Sequence, residues 1–406
     1  MRKRTVIGAS IASLFVVASL GVQTPVQAAD DGSITIGFAI AQSLWMSAYD
    51  GPPFAGAKMA IDDINAKGGV LGKKLKWVVA DTKSDQAEGA KAAQAAIAGG
   101  AQFLIVSCDY DMGSAAATVA DSHKMIAMAT CAGDAKMGVQ GIGPYAFTMG
   151  TSAVAEGATL AEWGWSKRGS RTAYLLLDTS IQWTKSVCAG FKNHWLELGG
   201  KLIGEDTFKQ DDASIASQIT RLQQNQTDNG KIDLIFLCGY DRGAISAIRQ
   251  LRSAGIDTPL IGGDAMDGDY WTKAVPHLND FYTGSYGSVF GDDARPSYNN
   301  FMKRFASYNN GDPAYTSFAI TGYSAVEALA LAMQRANSTE SDKVLAEMNK
   351  FKDENLAVGP TTFTQNLHIQ LTRPTAVMGI KDGKGYFVEM AQLKEPPPLT
   401  LVFNKK

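Results

Sequence analysis

The chain has 406 residues, of which 45% are hydrophobic and 19% charged, and its formal net charge is −2. This composition is typical of a soluble globular protein, and the lack of a basic patch argues against nucleic acid as a partner. Because single domains usually have about 100–200 residues, the length predicts two domains.

The first 28 residues have the pattern of a cleaved export signal. Residues 2–4 are basic, residues 6–22 are largely apolar, and Val26-Gln27-Ala28 offers small side chains at a processing site. We expect cleavage after Ala28, and an uncleaved membrane anchor is the alternative. No later stretch reaches the roughly 18 apolar residues that a membrane span needs. The mature chain, residues 29–406, is therefore expected in the periplasm and not embedded in the membrane.

Strand and helix signals alternate from residue 33 onward. A strand at 33–38 precedes a helix that starts at Phe54 and stops before Gly68 and Gly69, and a buried strand follows at 75–80. Further elements are predicted at 86–98 (helix), 103–107 (strand), 113–123 (helix), 125–130 (strand) and 146–148 (strand). Such alternation predicts parallel strands that are covered by helices on both faces.

The pattern then restarts after residue 148. Helices are predicted up to Lys167 and at 182–198, 215–224 and 244–254, and strands at 173–177, 201–208, 234–237 and 260–261. Two series of similar length predict an α/β protein with two doubly wound, Rossmann-like lobes.

In the last third of the chain, predicted strands and helices no longer alternate. Long helices are predicted at 296–308, 315–336 and 342–350, and short extended pieces follow, among them 386–390. These helices need a sheet to cover, and we expect them to return to the first lobe. The expected N-terminal lobe is therefore 29–148 with 286–360, and the expected C-terminal lobe is 149–285 with 361–406.

Four cysteines in an exported chain can pair in three ways. Cys108 and Cys131 each follow a predicted strand, so both would lie at the same edge of one sheet. We expect the pairs Cys108–Cys131 and Cys188–Cys238, with four buried free thiols as the alternative.

A search for catalytic motifs finds little. The four histidines are scattered, and the chain has no G-x-S-x-G elbow, no Walker A loop and no G-x-G-x-x-G after its first strand. We therefore expect a binding protein rather than an enzyme, with no cofactor and no metal. The rival hypothesis is an exported enzyme or metal site at Asp109, Asp111 and Cys131.

Aromatic and acidic side chains follow the predicted strands, where ligands bind in open α/β sheets. We therefore expect a site for a small polar molecule at these ends. An Asp at a strand end can also be a helix N-cap, which is the alternative for Asp109, Asp178 and Asp241. Trp45 and Trp183 could instead pack against the neighbouring lobe. The candidate ligand-binding residues are Trp45, Tyr49, Tyr110, Cys131, Ala132, Trp183, Tyr240 and Asp264.

Two segments carry a family resemblance. The more specific segment, Gly56 to Leu75, reads GAKxAIxxINAxGGVLGKKL. The segment Leu234 to Asp264 carries the next most specific part of the sequence pattern. Over nearly the whole mature chain, the sequence resembles the periplasmic leucine/isoleucine/valine-binding-protein family, the receptors of branched-chain amino-acid-type ABC transporters. The resemblance implies type I periplasmic-binding-protein lobes joined by three hinge strands, which close on a ligand. It also implies docking on a permease, with a monomer as the family default.

The resemblance also implies roles for four side chains. Tyr49 stands where the family has an aromatic ring that covers the ligand. Tyr240 matches a second-lobe tyrosine, and Trp183 replaces another aromatic residue. Asp264 matches the carboxylate that takes the ligand's ammonium group.

The first lobe departs from the family pattern. Tyr110 stands where amino-acid binders have a serine for the α-carboxylate, and Cys131-Ala132-Gly133 replaces an Ala-Ala-Thr run. Asp109 and Asp111 would repel a carboxylate unless they point away or the ligand is cationic. A branched-chain or related amino acid is the expected ligand. The alternatives are an amide such as urea, an aromatic or other organic acid, or a sensor role at a membrane receptor.

Overall fold

The computed structural model describes residues 32–403, in which strands and helices alternate along the chain. The strands are β1 (Ile34–Ile40), β2 (Leu75–Asp81), β3 (Phe103–Val106), β4 (Ala127–Ala129), β5 (Ala146–Thr148), β6 (Thr172–Asp178), β7 (Lys201–Phe208), β8 (Leu234–Cys238), β9 (Leu260–Gly262), β10 (Phe281–Ser285), β11 (Glu354–Leu356), β12 (Gly359–Thr361), β13 (Thr375–Lys381) and β14 (Lys384–Ala391). The α-helices are α1 (Ser47–Ala66), α2 (Gln86–Ala98), α3 (Tyr110–Ser122), α4 (Ala153–Ser166), α5 (Gln182–Glu197), α6 (Ala216–Asn229), α7 (Asp241–Ser253), α8 (Pro296–Tyr308), α9 (Ala319–Ala336), α10 (Ser341–Met348) and α11 (Leu399–Val402).

The first lobe is built on a parallel sheet with strand order β2-β1-β3-β4-β5. Its two faces have different chemistry. Ile34, Ile36 and Phe38 of β1 pack with large apolar side chains of α1, α8, α9 and α10. The opposite face packs mainly alanines of α2 and α3. The late helices α8–α10 therefore return to the first lobe, as the sequence predicts.

The second lobe is built on a seven-stranded sheet with order β14-β13-β10-β9-β8-β6-β7. Strands β6–β10 run parallel, whereas β13 pairs antiparallel with both β10 and β14. Helices α4 and α5 cover one face, and α6 and α7 cover the other. The predicted α/β class with two doubly wound lobes is confirmed, while the residue boundaries between the lobes stay a prediction.

The chain crosses between the lobes three times: after β5, after β10 and between β12 and β13. One buried side chain, Arg373, touches all three crossings. Its guanidinium donates to the Met149 carbonyl oxygen at 2.6 Å and to Thr361 Oγ1 at 3.0 Å. It also lies 6.0 Å from the ring centroid of Tyr286. Arg373 therefore ties the crossing segments to one another.

Both predicted disulfides are confirmed. Cys108 pairs with Cys131 within the first lobe, and Cys188 pairs with Cys238 within the second. The predicted leader, with its cleavage site after Ala28, lies outside the described residues. Among residues 32–403, no helix is long and apolar enough to cross a membrane.

Some element predictions were wrong. Helix α1 begins at Ser47 rather than Phe54, although it contains Pro52 and Pro53. A proline at position 52 cannot donate to the carbonyl oxygen of Ala48, and the Tyr315 hydroxyl donates to it instead at 3.0 Å. Strands β10 and β13 were not predicted, because their short, Gly-containing runs have no clear period-2 alternation.

Candidate ligand-binding site

A small cavity lies between the lobes. It is formed where the carboxyl ends of β1, β3 and β4 face those of β6, β8 and β9, the usual position for a ligand in open α/β sheets. The lining residues are Trp45, Met46, Tyr49, Cys108, Asp109, Cys131, Ile181, Trp183, Tyr240, Asp264, Ala265 and Phe318.

The structure brings six of the eight candidate residues together in this cavity. Tyr110 and Ala132 are not among the lining residues. Tyr110 is the first residue of α3, and its ring lies 5.9 Å from Lys136 Nζ. Ala132 is fully buried in the alanine-rich core of the first lobe, so its side chain packs against protein. Neither residue lines this cavity, so a role for them in ligand binding stays a prediction.

Six lining residues were not among the candidates. Asp109 was considered as an N-cap, as part of an enzyme or metal site, and as a charge that would repel a ligand carboxylate, but not as a candidate ligand-binding residue. Met46, Cys108, Ile181 and Ala265 adjoin or lie within the strand-end loops that the sequence singled out. Phe318 lies outside those loops, at the start of α9. No local sequence signal could have placed it here, because α9 reaches the cavity through a contact distant in sequence.

Aromatic rings from both lobes form one wall of the cavity. The ring centroids of Trp45 and Tyr49 are 6.1 Å apart, and those of Tyr49 and Phe318 are 6.4 Å apart. Trp45 of the first lobe also lies 5.5 Å from Tyr240 of the second lobe. The alternative that Trp45 packs on the neighbouring lobe is thus compatible with its position in the site.

Trp183 fits between two glycines, one from each lobe. A Cβ atom at Gly133 would lie 2.9 Å from Trp183 Cδ1, and one at Gly263 would lie 2.7 Å from Cη2. Real Cβ atoms do not approach so closely, so any side chain at either position would displace the indole ring. The position of Trp183 in the cavity therefore depends on glycine in both facing loops.

Direct hydrogen bonds across the cleft hold the lobes together. The Tyr49 hydroxyl donates to the Ala265 carbonyl oxygen at 3.2 Å and accepts from Asp241 N at 3.0 Å. Asp111 Oδ2 accepts from Gln182 N at 2.7 Å. The lobes are therefore in a closed arrangement, of the kind that hinge-joined domains adopt around a ligand.

A second group of bonds at the same edge of the cleft joins α5 to the loop after β4. Lys136 Nζ donates to Gln182 Oε1 at 2.9 Å, and the Ser186 hydroxyl donates to Asp134 Oδ2 at 2.6 Å. The contacts across the cleft are thus mainly polar. Polar contacts of this type can be exchanged for water when the lobes separate.

Asp50 is a buried carboxylate beneath the first-lobe wall. Its oxygens accept from Ala41 N at 2.7 Å, Cys108 N at 2.8 Å and the Ser107 hydroxyl at 2.9 Å. Burial raises the pKa of Asp50 to about 6, against the lowering effect of these donors. Asp50 therefore binds the ends of β1 and β3 to α1, which is a structural role.

Asp109 caps α3 and also lines the cavity. Its Oδ1 accepts from Met112 N at 3.1 Å, so the N-cap interpretation is correct for this residue. Burial, and then the negative charge of Asp111, raise the pKa of Asp109 to about 7. The N-cap interpretation is wrong for the other two aspartates. Ile181, not Asp178, occupies the N-cap position of α5, and Asp241 is the first residue of α7.

Asp264 follows β9 and faces the cavity from the second lobe. Within the described part of the chain, no hydrogen-bond donor reaches its carboxylate, while its backbone N–H donates to Glu156 Oε1 at 2.5 Å. Burial, and then the charge of Asp267, raise the pKa of Asp264 above its ordinary range. The pKa of Glu156 is raised for the same main reason. The site thus holds a carboxylate that lacks a partner.

The cluster behind the enzyme hypothesis has different roles in the structure. Cys131 is in a disulfide bond, Asp109 caps a helix and Asp111 accepts a hydrogen bond from the opposite lobe. No group of three or more His, Cys, Asp or Glu side chains in residues 32–403 could hold a metal ion.

Comparison with known proteins agrees with this architecture. A family model described as periplasmic binding protein matches residues 33–384. The Leu/Ile/Val-binding protein BraC3 of Rhizobium johnstonii is 23% identical over 351 residues, which cover 86% of this chain and 90% of that protein.

Solved structures share the fold. The branched-chain amino acid transporter substrate-binding protein LivJ of Streptococcus pneumoniae, in complex with isoleucine, has a TM-score of 0.76 at 23% identity and covers 89% of this chain and 100% of its own. A solute-binding protein of Rhodopseudomonas palustris, in complex with 3,4-dihydroxy benzoic acid, has a TM-score of 0.74 at 17% identity and covers 90% and 98%. The chain therefore belongs to the periplasmic binding protein family and has the type I fold.

Proposed function

We propose that the chain is an extracytoplasmic solute-binding receptor of an ABC importer. It encloses a small organic solute between its lobes and presents the closed form to a membrane permease. The observation that carries this proposal is the cavity itself, which is lined from both lobes and bridged by the hydroxyl of Tyr49. The predicted export signal and the family membership support a periplasmic location.

The proposed solute carries a positively charged nitrogen, since Asp264 offers a carboxylate without a partner. This class includes the branched-chain and related amino acids, which the names of several relatives favour. Burying such a charge is favourable only when it is paired. A micromolar receptor needs about 8 kcal/mol, which a few charge-assisted hydrogen bonds and aromatic cover can supply.

Binding and release follow from the two-lobe geometry. In the open form, one lobe binds the solute and leaves it in contact with water. Closure adds the contacts of the other lobe and the hydrogen bonds of Tyr49, so the solute favours the closed form by its greater affinity for it. We propose no catalytic step, since the relatives are solute-binding proteins and Cys131 is in a disulfide bond. We expect a monomer.

The proposal is tested by a thermal-shift screen of residues 29–406 against amino acids, amines, amides and small organic acids. A solute at 100 times its Kd stabilises the folded state by about 2.7 kcal/mol, which raises the melting temperature by several degrees. The Asp264→Asn variant should lose this shift while its own melting temperature stays near that of the wild type.

The matched control is Asp312→Asn, which changes an exposed aspartate remote from the cavity. This variant should keep the full shift. The proposal would be wrong if no organic solute stabilises the protein, or if a stabilising solute is chemically converted on incubation.

A further inference from the structure

The lining of the cavity is acidic. Asp109 and Asp264 both line it, and none of its lining residues is basic. The nearby Lys136 is engaged elsewhere, because its Nζ donates to Gln182 and lies over the ring of Tyr110. An amino acid brings one positive and one negative charge, whereas this cavity supplies only negative partners.

Several backbone donors beside the cavity that could receive a ligand carboxylate are already in use. In the first lobe, Cys108 N donates to Asp50 and Met112 N donates to Asp109. Helix N-termini are the usual anion sites of α/β proteins, but here aspartates occupy two of them. Asp109 occupies that of α3, and Asp111 accepts from Gln182 N, the first N–H of α5.

The second-lobe donors show the same pattern. Asp241 N, at the start of α7, donates to the Tyr49 hydroxyl at 3.0 Å, and Asp264 N donates to Glu156. A ligand carboxylate that used these donors would displace one of these bonds. This exchange costs free energy, because the displaced buried acceptor is left without a partner.

The aromatic wall complements a positive charge. The faces of Trp and Tyr rings attract organic cations, and several rings around one cavity add to the effect. Trp45, Tyr49, Trp183, Tyr240 and Phe318 all line the cavity. Other aromatic rings in the described chain stack with Lys or Arg, such as Trp165 with Arg171 at 3.8 Å, but these five do not.

We propose that the ligand is a small organic amine, bound as its ammonium cation and lacking a free carboxylate. The ammonium group donates a hydrogen bond to Asp264 and is attracted by the negative charge of Asp109. The aromatic wall covers it. This inference rests on the proposed receptor function and narrows its solute class.

Matched compounds that differ only in their charged groups test the inference. 3-Methylbutylamine, L-leucine and 4-methylpentanoate share one carbon skeleton and carry an ammonium group, both groups, or a carboxylate alone. 2-Phenylethylamine, L-phenylalanine and 3-phenylpropanoate form a second set with a larger side chain. Isothermal titration calorimetry at about pH 8 gives each Kd with the amines protonated and with Asp109, whose pKa is about 7, mainly ionised.

In at least one set, we expect the amine to bind at least tenfold more tightly than the amino acid, and the carboxylate not to bind. The Asp109→Asn variant should weaken amine binding at least tenfold. It should also reduce the ratio between the Kd of the amino acid and the Kd of its amine. Asn caps helices as well as Asp does, so this variant should still fold, which its melting temperature checks. Asp312→Asn should leave every Kd unchanged.

Four outcomes would overturn the inference. If an amino acid binds more tightly than its amine, or if only the carboxylates bind, the ligand is not an amine, although the receptor function stands. In a third outcome, the amines and amino acids of both sets fail to bind while an unrelated solute from the thermal-shift screen binds. In that case the ligand is again not an amine, and the receptor function stands. If no organic solute binds at all, both the inference and the proposed function are wrong.

Discussion

Three buried aspartates near the cleft differ in how many donors they bind. Asp50 accepts three hydrogen bonds, Asp109 accepts from the backbone of the turn that it caps, and the carboxylate of Asp264 accepts none in the described chain. The number of donors therefore falls from the structural position beneath the wall to the positions that face the cavity. Such a gradient is what a site needs if a cationic solute is to supply the missing partner.

The raised pKa values predict how the stability of the empty protein depends on pH. Near neutral pH, Asp109 with its pKa of about 7 is partly protonated in the folded state, whereas an unfolded aspartate is ionised. The folded state therefore binds more protons, and the free energy of unfolding falls as pH rises. We expect the melting temperature of the empty protein to fall by a few degrees between about pH 6.5 and pH 8.5.

The acidic groups around Asp109 also raise its pKa and so strengthen the expected fall in stability with pH. Asp111 and Asp134 raise its pKa, and the hydroxyl of Tyr240 faces it from the second lobe. His368, with a pKa lowered by burial to about 4, acts in the opposite sense, but mainly below its unfolded pKa of about 6.5, at the lower edge of this pH window. Differential scanning calorimetry of wild type and Asp109→Asn checks the prediction. A smaller slope in the variant supports it, and a wild-type melting temperature that rises with pH contradicts it.

At the residue scale, the sequence predicted much of the candidate site, because the ends of strands can be recognised from apolar runs. Trp45, Tyr49, Trp183 and Tyr240 all follow strands whose apolar runs could be recognised. Phe318 could not be found, since nothing local marks the start of α9 as a neighbour of β1. Tyr110 and Ala132 lie next to lining residues, but both pack against the alanine-rich core of the first lobe.

At the scale of elements, both lobes use glycine pairs to bring helices together. In the first lobe, a Cβ at Gly56 of α1 would overlap the Ala319 carbonyl group, and one at Gly322 of α9 would overlap Pro53. In the second lobe, Gly157 of α4 and Gly190 of α5 meet the facing backbone in the same way. Gly56 opens the sequence motif that carries the family resemblance, so close helix packing gives that glycine a physical reason.

This packing predicts a large effect of one added methyl group. Gly56→Ala should destabilise the protein by about 1–3 kcal/mol or more, because the backbone of α9 has no room to yield. Urea unfolding measured by circular dichroism gives the value. The control is Ala55→Ser, which adds one atom on a partly exposed position of the same helix and should change stability by about 0.5 kcal/mol. Equal effects of the two substitutions would contradict the packing argument.

The sequence predicted most elements but not how local breaks are compensated. Pro52 and Pro53 argue against a helix before Phe54, yet α1 starts at Ser47. The compensation comes from Tyr315, which donates to Ala48 from 267 residues away in the chain. Long-range contacts of this type override local propensity, and a sequence without them in view cannot reveal the true helix start.

For the whole molecule, the central feature is a closed cleft with polar contacts between the lobes. Tyr49 bonds to Asp241 and Ala265, and Asp111 bonds to Gln182 N. The cavity holds carboxylates that repel one another when ionised, which favours opening in the absence of a cation. Arg373 joins the three crossings, so the lobes can move about them without separating.

Small-angle X-ray scattering tests this account most directly. The mature protein should be more extended alone than with the tightest-binding solute of the thermal-shift screen, and the solute should reduce its radius of gyration. Tyr49→Phe, which lacks the hydroxyl that bridges the cleft, should need more solute for the same compaction. A solute that binds at the cavity without any change in the radius of gyration would contradict the proposed closure.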